Sequence, residues 1–304
     1  MSQSPVGSVI QLHELPDLTP LLAKVAAAAL PIPGVGGGGG GGETLPQTSV
    51  VLPGAPIDID HVAAYADVCG FRLDSTLPPT YLHLLGFPLS VLLMTRPDFP
   101  FGLMGMVHIA NRITVHRPVK VDEVVDLTAT VTNLRAHPKG QQMDNVVTIS
   151  IGEETVWEST STYLKRGASN PGHDASEPTG AAGVNLAELP MTARWRVPDD
   201  IGRRYGRVSG DRNPIHLTAM TAKAFGFPRA IAHGMWTKAR CLAALEGGIP
   251  QACTIDVAFK LPLLLPSAVH YATRREPDGW SFGVRAKDGK PHLVGAVTAV
   301  SEHD

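Results

Sequence analysis

Within the stretch Tyr205–Trp236, YGRVSGDRNPIHLTAMTAKAFGFPRAIAHGMW, a carboxylate at Asp211 and an imidazole at His216 stand five residues apart in a segment tightened by Gly210 and Pro214. At that spacing both side chains can reach one small volume and hold a water between them. A carboxylate and an imidazole sharing a water supply a base and an acid that work near neutral pH, which suits adding water to an activated double bond or removing it. Each such group contributes about 10² to 10⁴ in rate. Further on, Met235, Trp236, Ala239, Leu242, Ala243 and Leu245 recur with helical spacing. A helix is therefore expected to begin near His233 and to end at Gly247-Gly248 and Pro250. Its first N–H groups have no intrahelical acceptor and carry partial positive charge. The Gly234 amide, unobstructed by a Cβ, is the candidate donor to a thioester carbonyl oxygen and to the enolate formed from it.

The same residues have plainer readings. An Asp in Gly-Asp-Xaa-Asn-Pro can be a turn residue satisfying nearby amides. His216 can be structural, and His233 reads first as a capping or packing residue. Asp211, His216 and His233 match no metal-ligand spacing. Neither a metal nor another cofactor is expected. The run Ser209–His216 reads as a loop, with Ser209, Gly210 and Asn213 shaping it.

The chain that must position these groups has 304 residues, 43% apolar and 18% charged, with a formal charge of -2. That is ample for one large or two ordinary domains and offers no basic field for nucleic acid. Cys69, Cys241 and Cys253 form no CxxC pair, so reduced buried thiols and a cytoplasmic setting are expected. The apolar segment Leu21–Leu30 contains Lys24 and falls short of the roughly 20 residues a membrane span needs. No span is expected.

Residues 1–48 read as a peripheral extension: a short helix over Leu18–Leu30, then the run Gly36–Gly42 as a mobile linker. Residues 49–166 form a first domain, with an apolar helix over Leu82–Met94 and strands in which Val107, Ile109, Ile113 and Val115, then Val125, Leu127, Ala129 and Val131, each share a face. Residues 167–188, poor in large apolar side chains, read as a linker. A second domain over residues 189–304 surrounds the helix near His233. There Ile255, Val257, Phe259 and Leu261 alternate with polar or small residues, and Asp278-Gly279 and Asp288-Gly289 mark hairpins.

The halves repeat. A shift of 140 places Tyr65 on Tyr205, Gly70 on Gly210, Arg72 on Arg212, and Gly86-Phe87-Pro88 on Gly226-Phe227-Pro228. A shift of 148 places Ile109-Ala110 on Val257-Ala258. The reactive positions are not shared: Asp211 faces Phe71, Asn213 faces Leu73 and His216 faces Thr76. One copy is expected to work and the other to have taken another role.

Tyr205-Gly-Arg-Val-Ser-Gly-Asp-Arg-Asn-Pro-Ile-His216, followed by Ile231-Ala-His-Gly-Met235, resembles the signature of the MaoC-like dehydratases, the R-specific enoyl-CoA hydratases. The resemblance implies an α+β double hot-dog fold, two antiparallel sheets each wrapped around a central helix, with chemistry only in the second copy. It implies Asp211 and His216 as the water-activating pair, the Gly234 amide as oxyanion donor and Asn213 as the residue shaping the loop. The implied reaction is reversible hydration of a trans-2-enoyl thioester to the (3R)-3-hydroxyacyl thioester in fatty-acid metabolism, on coenzyme A or acyl carrier protein, without a cofactor. Two alternatives stand beside it: a non-catalytic acyl-thioester-binding subunit, and a hot-dog thioesterase, which would place an acidic residue on the central helix where Gly234–Leu245 has none. A homodimer is an open expectation.

Overall fold

The computed structural model describes residues 7–22, 44–103, 105–167, 181 and 183–300. Most of the expected helix over Leu18–Leu30, the run Gly36–Gly42 and most of the 167–188 linker lie outside the described residues; residues 18–22 are helical. The first half supplies β1 (Ser8–Gln11), β2 (Thr48–Pro56), α1 (Ile59–Cys69), α2 (Leu82–Met94), β3 (Met106–Val115), β4 (Val124–His137), β5 (Gly140–Ile151) and β6 (Glu154–Arg166). The second supplies β7 (Met191–Val197), α3 (Ile201–Ser209), α4 (Ala219–Ala224), α5 (Gly234–Ala243), β8 (Cys253–Phe259), β9 (Ser267–Glu276), β10 (Gly279–Ala286) and β11 (Pro291–Ala299).

The strand order is β1-β2-β4-β5-β6-β3-β8-β11-β10-β9-β7. Leaving out β1, which adds in parallel to β2, the order reads alike from both ends, as the internal repeat requires. The expected two sheets are joined into one of eleven strands. Ala110–Val115 of β3 pairs antiparallel with Ala258–Cys253 of β8, which removes two exposed edges at once. Each half curls around its own helix. α2 is apolar on all sides and almost wholly buried, as a helix inside a sheet's curl must be.

The repeat is visible in the caps. α1 ends at Gly70 and α3 at Gly210, both left-handed, with φ of 82° and 72°; Tyr65 and Tyr205 are both buried, with ring centroids 6.3 Å apart. The Gly-Phe-Pro match is not structural. Gly86-Phe87-Pro88 lies inside α2, whereas Gly226-Phe227-Pro228 lies between α4 and α5. The central helices open at Leu82 and Gly234 instead.

Two strand readings also change. The register of β3 against β6 slips between His108 and Ala110. This bulge makes His108, not Ile109 or Val107, the partner in phase with Asn111, Ile113 and Val115. An extra residue reverses the side-chain alternation beyond it. Leu261 lies past the end of β8 and is exposed.

At the seam between the halves, the fully buried Lys238 of α5 donates to the Asn111 side-chain Oδ1, to Asn111 O at 3.3 Å and to Ile255 O at 3.0 Å. Asn111 Nδ2 in turn donates to Ser159 Oγ at 2.9 Å and Ser161 Oγ at 3.1 Å. Burial pushes the Lys238 pKa down to about 7, while three acceptors around Nζ favour an ammonium with its three donors. The network fixes α5 to strands of both halves.

Candidate active site

The loop that carries Asp211 is shorter than its composition suggests. α3 continues through Ser209, and Pro214–His216 forms a 3₁₀ turn, so only residues 210–213 are irregular. Ser209, expected in the loop, closes the helix: its Oγ donates to Tyr205 O at 2.8 Å and accepts from Asp211 N at 3.2 Å. Gly210 then reverses the chain in a left-handed conformation, where a Cβ would be strained and would lie 2.6 Å from Leu18 Cδ1. Asn213 N donates to Asp211 Oδ1 at 3.2 Å, and Asn213 Oδ1 accepts from Ile215 N at 3.3 Å. Each short polar residue thus serves the turn, as the pattern Gly-Asp-Xaa-Asn-Pro implies.

With Oδ1 occupied in the turn, Asp211 Oδ2 faces two imidazoles. It lies 3.9 Å from His216 Nε2 and 3.6 Å from His233 Nε2. His216 Nδ1 is 2.8 Å from Ile231 O, and His233 Nε2 is 2.9 Å from Asp211 O. A carbonyl only accepts, so in the neutral rings these partners assign the proton to His216 Nδ1 and to His233 Nε2. His216 Nε2 therefore presents a lone pair toward the carboxylate across a gap that one water can bridge. Burial lowers the pKa of His216, with Asp211 opposing that shift, and lowers that of His233 to about 3, with His216 adding to the effect. Both rings are neutral at pH 7.

His233 is the N-cap of α5 but makes no side-chain capping bond. Its ring instead packs on His216, centroids 3.6 Å apart, and on Tyr205 at 4.9 Å. Of the two plain readings, capping or packing, the ring takes the second: it packs on His216 and Tyr205 and bonds the Asp211 backbone. The next residue, Gly234, opens α5. A Cβ there would meet the Phe259 ring at 2.9 Å, so glycine is required by close packing. Asp211, His216, His233 and Gly234, nominated from the sequence, are brought together.

Asp211, His216 and His233 offer ligand atoms within 4.8 Å of one another. His233 Nε2 already gives its proton to Asp211 O, so the ring would have to give up that bond to ligate with this nitrogen.

Composition and periodicity missed the residues that the first half brings near this site. Burial lowers the pKa of His83 to about 4 and raises that of Tyr163, and the nearby Asp211 charge pulls both upward. His108, re-aimed by the bulge, stacks on Tyr163 at 4.6 Å and lies 4.9 Å from the Phe259 ring. His83 Nδ1, His108 Nε2 and His233 Nδ1 are buried without a hydrogen-bond partner among the described residues. Nothing in the local sequence marks the bulge. Of the basic residues flanking the loop, Arg203 donates to Leu217 O at 3.1 Å and Arg204 pairs with Asp67 of the first half at 3.1 Å.

The surrounding chain has clear relatives. The family model of the MaoC like domain matches residues 179–288, which hold the loop, α5 and strands β7 to β10 of the second half. The 3-hydroxyacyl-thioester dehydratase X of Mycobacterium tuberculosis is 37% identical over 277 residues, covering 91% of this chain and 96% of that protein. The crystal structure of HtdX from the same organism superposes with a TM-score of 0.73 at 36% identity, covering 83% of this chain and 100% of that one. A MaoC-like dehydratase from Phytophthora capsici, only 17% identical, shares the fold with a TM-score of 0.69 over 84% of this chain and 95% of its own. Identity of 37% over 91% of this chain and 96% of the relative spans both halves and settles the kinship: the chain belongs to the MaoC-like dehydratases.

Proposed function

We propose that this protein is a hydro-lyase that interconverts trans-2-enoyl thioesters and (3R)-3-hydroxyacyl thioesters, with its chemistry in the second half. The observation that carries the reading is the 3.9 Å gap between Asp211 Oδ2 and a His216 Nε2 lone pair, with the α5 N-terminus opening at Gly234 nearby. A relative named as a 3-hydroxyacyl-thioester dehydratase supports the choice of substrate.

In hydration, a water donating to both groups directs its oxygen at the β carbon. Its O–H breaks as the C–O bond forms, and the π electrons move onto the thioester as an enolate. The Gly234 N–H receives that charge. The proton held by the pair is then delivered to the α carbon, so that HO and H both come from one water. Dehydration runs the same steps backwards. Coenzyme A and acyl carrier protein are both compatible carriers.

A cytoplasmic setting belongs to the same reading. It is supported by three buried free thiols, of which burial pushes Cys69 up to about 12 and Cys253 up to about 11. No helix among the described residues is long and apolar enough to cross a membrane.

The test is loss of the enoyl-thioester absorbance with crotonyl-CoA and a longer trans-2-enoyl-CoA, comparing wild type with Asp211→Asn and His216→Ala. Turnover in wild type, reduced about 10²-fold or more in each variant, is the expected result. Equal turnover in all three would remove the assignment of the pair.

A further inference from the structure

The helix that leads into the Asp211 loop ends differently from its counterpart in the first half. In α1, Gly70 N and Phe71 N both donate to Ala66 O, at 2.7 and 3.0 Å, so the last turn closes on its own backbone. Among the described residues no amide closes α3 in this way. Asp211 N bonds Ser209 Oγ instead, and the carbonyls of the last turn need other donors. Val208 O, three residues before Asp211, lies 2.7 Å from His61 Nε2 of α1. A carbonyl only accepts, so this nitrogen carries the proton. In the neutral ring Nδ1 is then the acceptor for Tyr81 OH at 2.9 Å, and Tyr81 is the fully buried N-cap of α2. The second half returns no such ring. A shift of 140 places Ile201 on His61, and Val68 O, the counterpart of Val208 O, accepts from Trp236 Nε1 at 3.0 Å.

We infer that His61 is a positioning residue for the reaction and that Tyr81 orients it: the bonds from Tyr81 through His61 to Val208 let the half without the acid and base set the place of the Asp211 carboxylate. This role rests on the functional reading above for what Asp211 does. The bonds within residues 209–215 fix Asp211 to its own turn. His233 ties that turn to the second half through Asp211 O, and His61 ties the helix end before it to the first. Between Val208 and Asp211 stands Gly210, in a left-handed conformation and without a Cβ to restrain it. A helix end left unbonded there would let the carboxylate drift from the two imidazoles, and a misplacement of about 1 Å can cost about 10²-fold in rate. Arg204 and Asp67 also join α3 to α1, at 3.1 Å, but this pair is exposed and contributes little.

The experiment measures kcat and KM for crotonyl-CoA hydration, with a thermal melt of each sample. His61→Phe is expected to lower kcat about 10-fold with KM little changed, and Tyr81→Phe to lower it about threefold. His61→Gln, whose amide offers both a donor and an acceptor, should return to within about threefold of wild type. Asp67→Asn, which breaks the exposed pair between the same two helices, should stay within about twofold. In the Asp211→Asn background, His61→Phe should cost less than about twofold more, because no carboxylate is left to place. Unchanged kcat in His61→Phe, beside an active wild type and an impaired Asp211→Asn, would overturn the positioning role alone. An equal fall in both backgrounds, or a fall that His61→Gln does not recover, would overturn it too, since a general loosening of the fold acts in that way. Should His61→Phe not fold, Tyr81→Phe carries the same comparison in both backgrounds. No turnover by wild type with crotonyl-CoA or a longer trans-2-enoyl-CoA would overturn the functional reading and this inference with it.

Discussion

The His216 and His233 rings lie one on the other, centroids 3.6 Å and planes 26° apart, with both buried beside Asp211. Two imidazoles at that distance cannot both carry charge cheaply, so the stack and the burial together hold His216 as a neutral base. The acidic limb of kcat/KM should therefore lie below the ordinary histidine value of about 6.5. A pH profile of crotonyl-CoA hydration would show it. A limb at or above that value would mean that His216 titrates as a solvated imidazole.

His233 should matter through position and not by touching substrate. His233→Phe keeps a flat ring against His216 but removes the 2.9 Å bond to Asp211 O. The expected result is a fall in kcat of about 10-fold, with KM little changed, because what loosens is the placement of the loop carboxylate. His233→Ala should lose more, since the stack goes too. Equal rates in His233→Ala and wild type would make the ring a passive filler.

Gly234→Ala brings a Cβ to 2.9 Å from the Phe259 ring at the amide assigned to the oxyanion. Displacing that one donor is expected to cost about 10² to 10³ in kcat, with a lower Tm from overpacking of about 1 to 3 kcal/mol. Adding Phe259→Leu should recover the Tm. Paired thermal melts and rate measurements separate the two effects, and full activity in Gly234→Ala would remove the amide from the mechanism.

Lys238 makes a different kind of prediction. Lys238→Met would leave the Asn111 side-chain carbonyl, Asn111 O and Ile255 O without their buried donor. Each orphaned acceptor costs, so a loss of about 2 to 4 kcal/mol in urea unfolding is expected. An unchanged unfolding midpoint would show that the seam does not depend on the ammonium.

What the sequence disclosed and what it hid follow from how local each signal is. The turn at Gly210, the start of α5 after His233 and the alternation of Val125 to Val131 are set by a few adjacent residues, and the structure has each of them. The β3 bulge is decided by pairing with β6, more than 50 residues away, so simple alternation puts Val107 and Ile109 on the wrong face. The Gly-Phe-Pro identity misled because one copy is buried in a helix while the other turns a loop. The stacking of His233 on His216 joins a helix start to a 3₁₀ turn, and no spacing rule anticipates that.

Buried neutral histidines also set the protein's response to acid. Burial lowers His83 to about 4 and His233 to about 3, whereas in the unfolded chain both protonate near 6.5. Between those values the unfolded state binds more protons than the folded one. Stability therefore rises with pH across that window and is lost as pH falls from about 6.5 towards 4. Tm measured from pH 7.5 to 4.5 should drop steadily below 6.5. His83→Leu, which removes one of these groups, should flatten the slope by close to one proton's worth. A Tm independent of pH over that range would mean that the imidazoles are reached by solvent and protonate without unfolding.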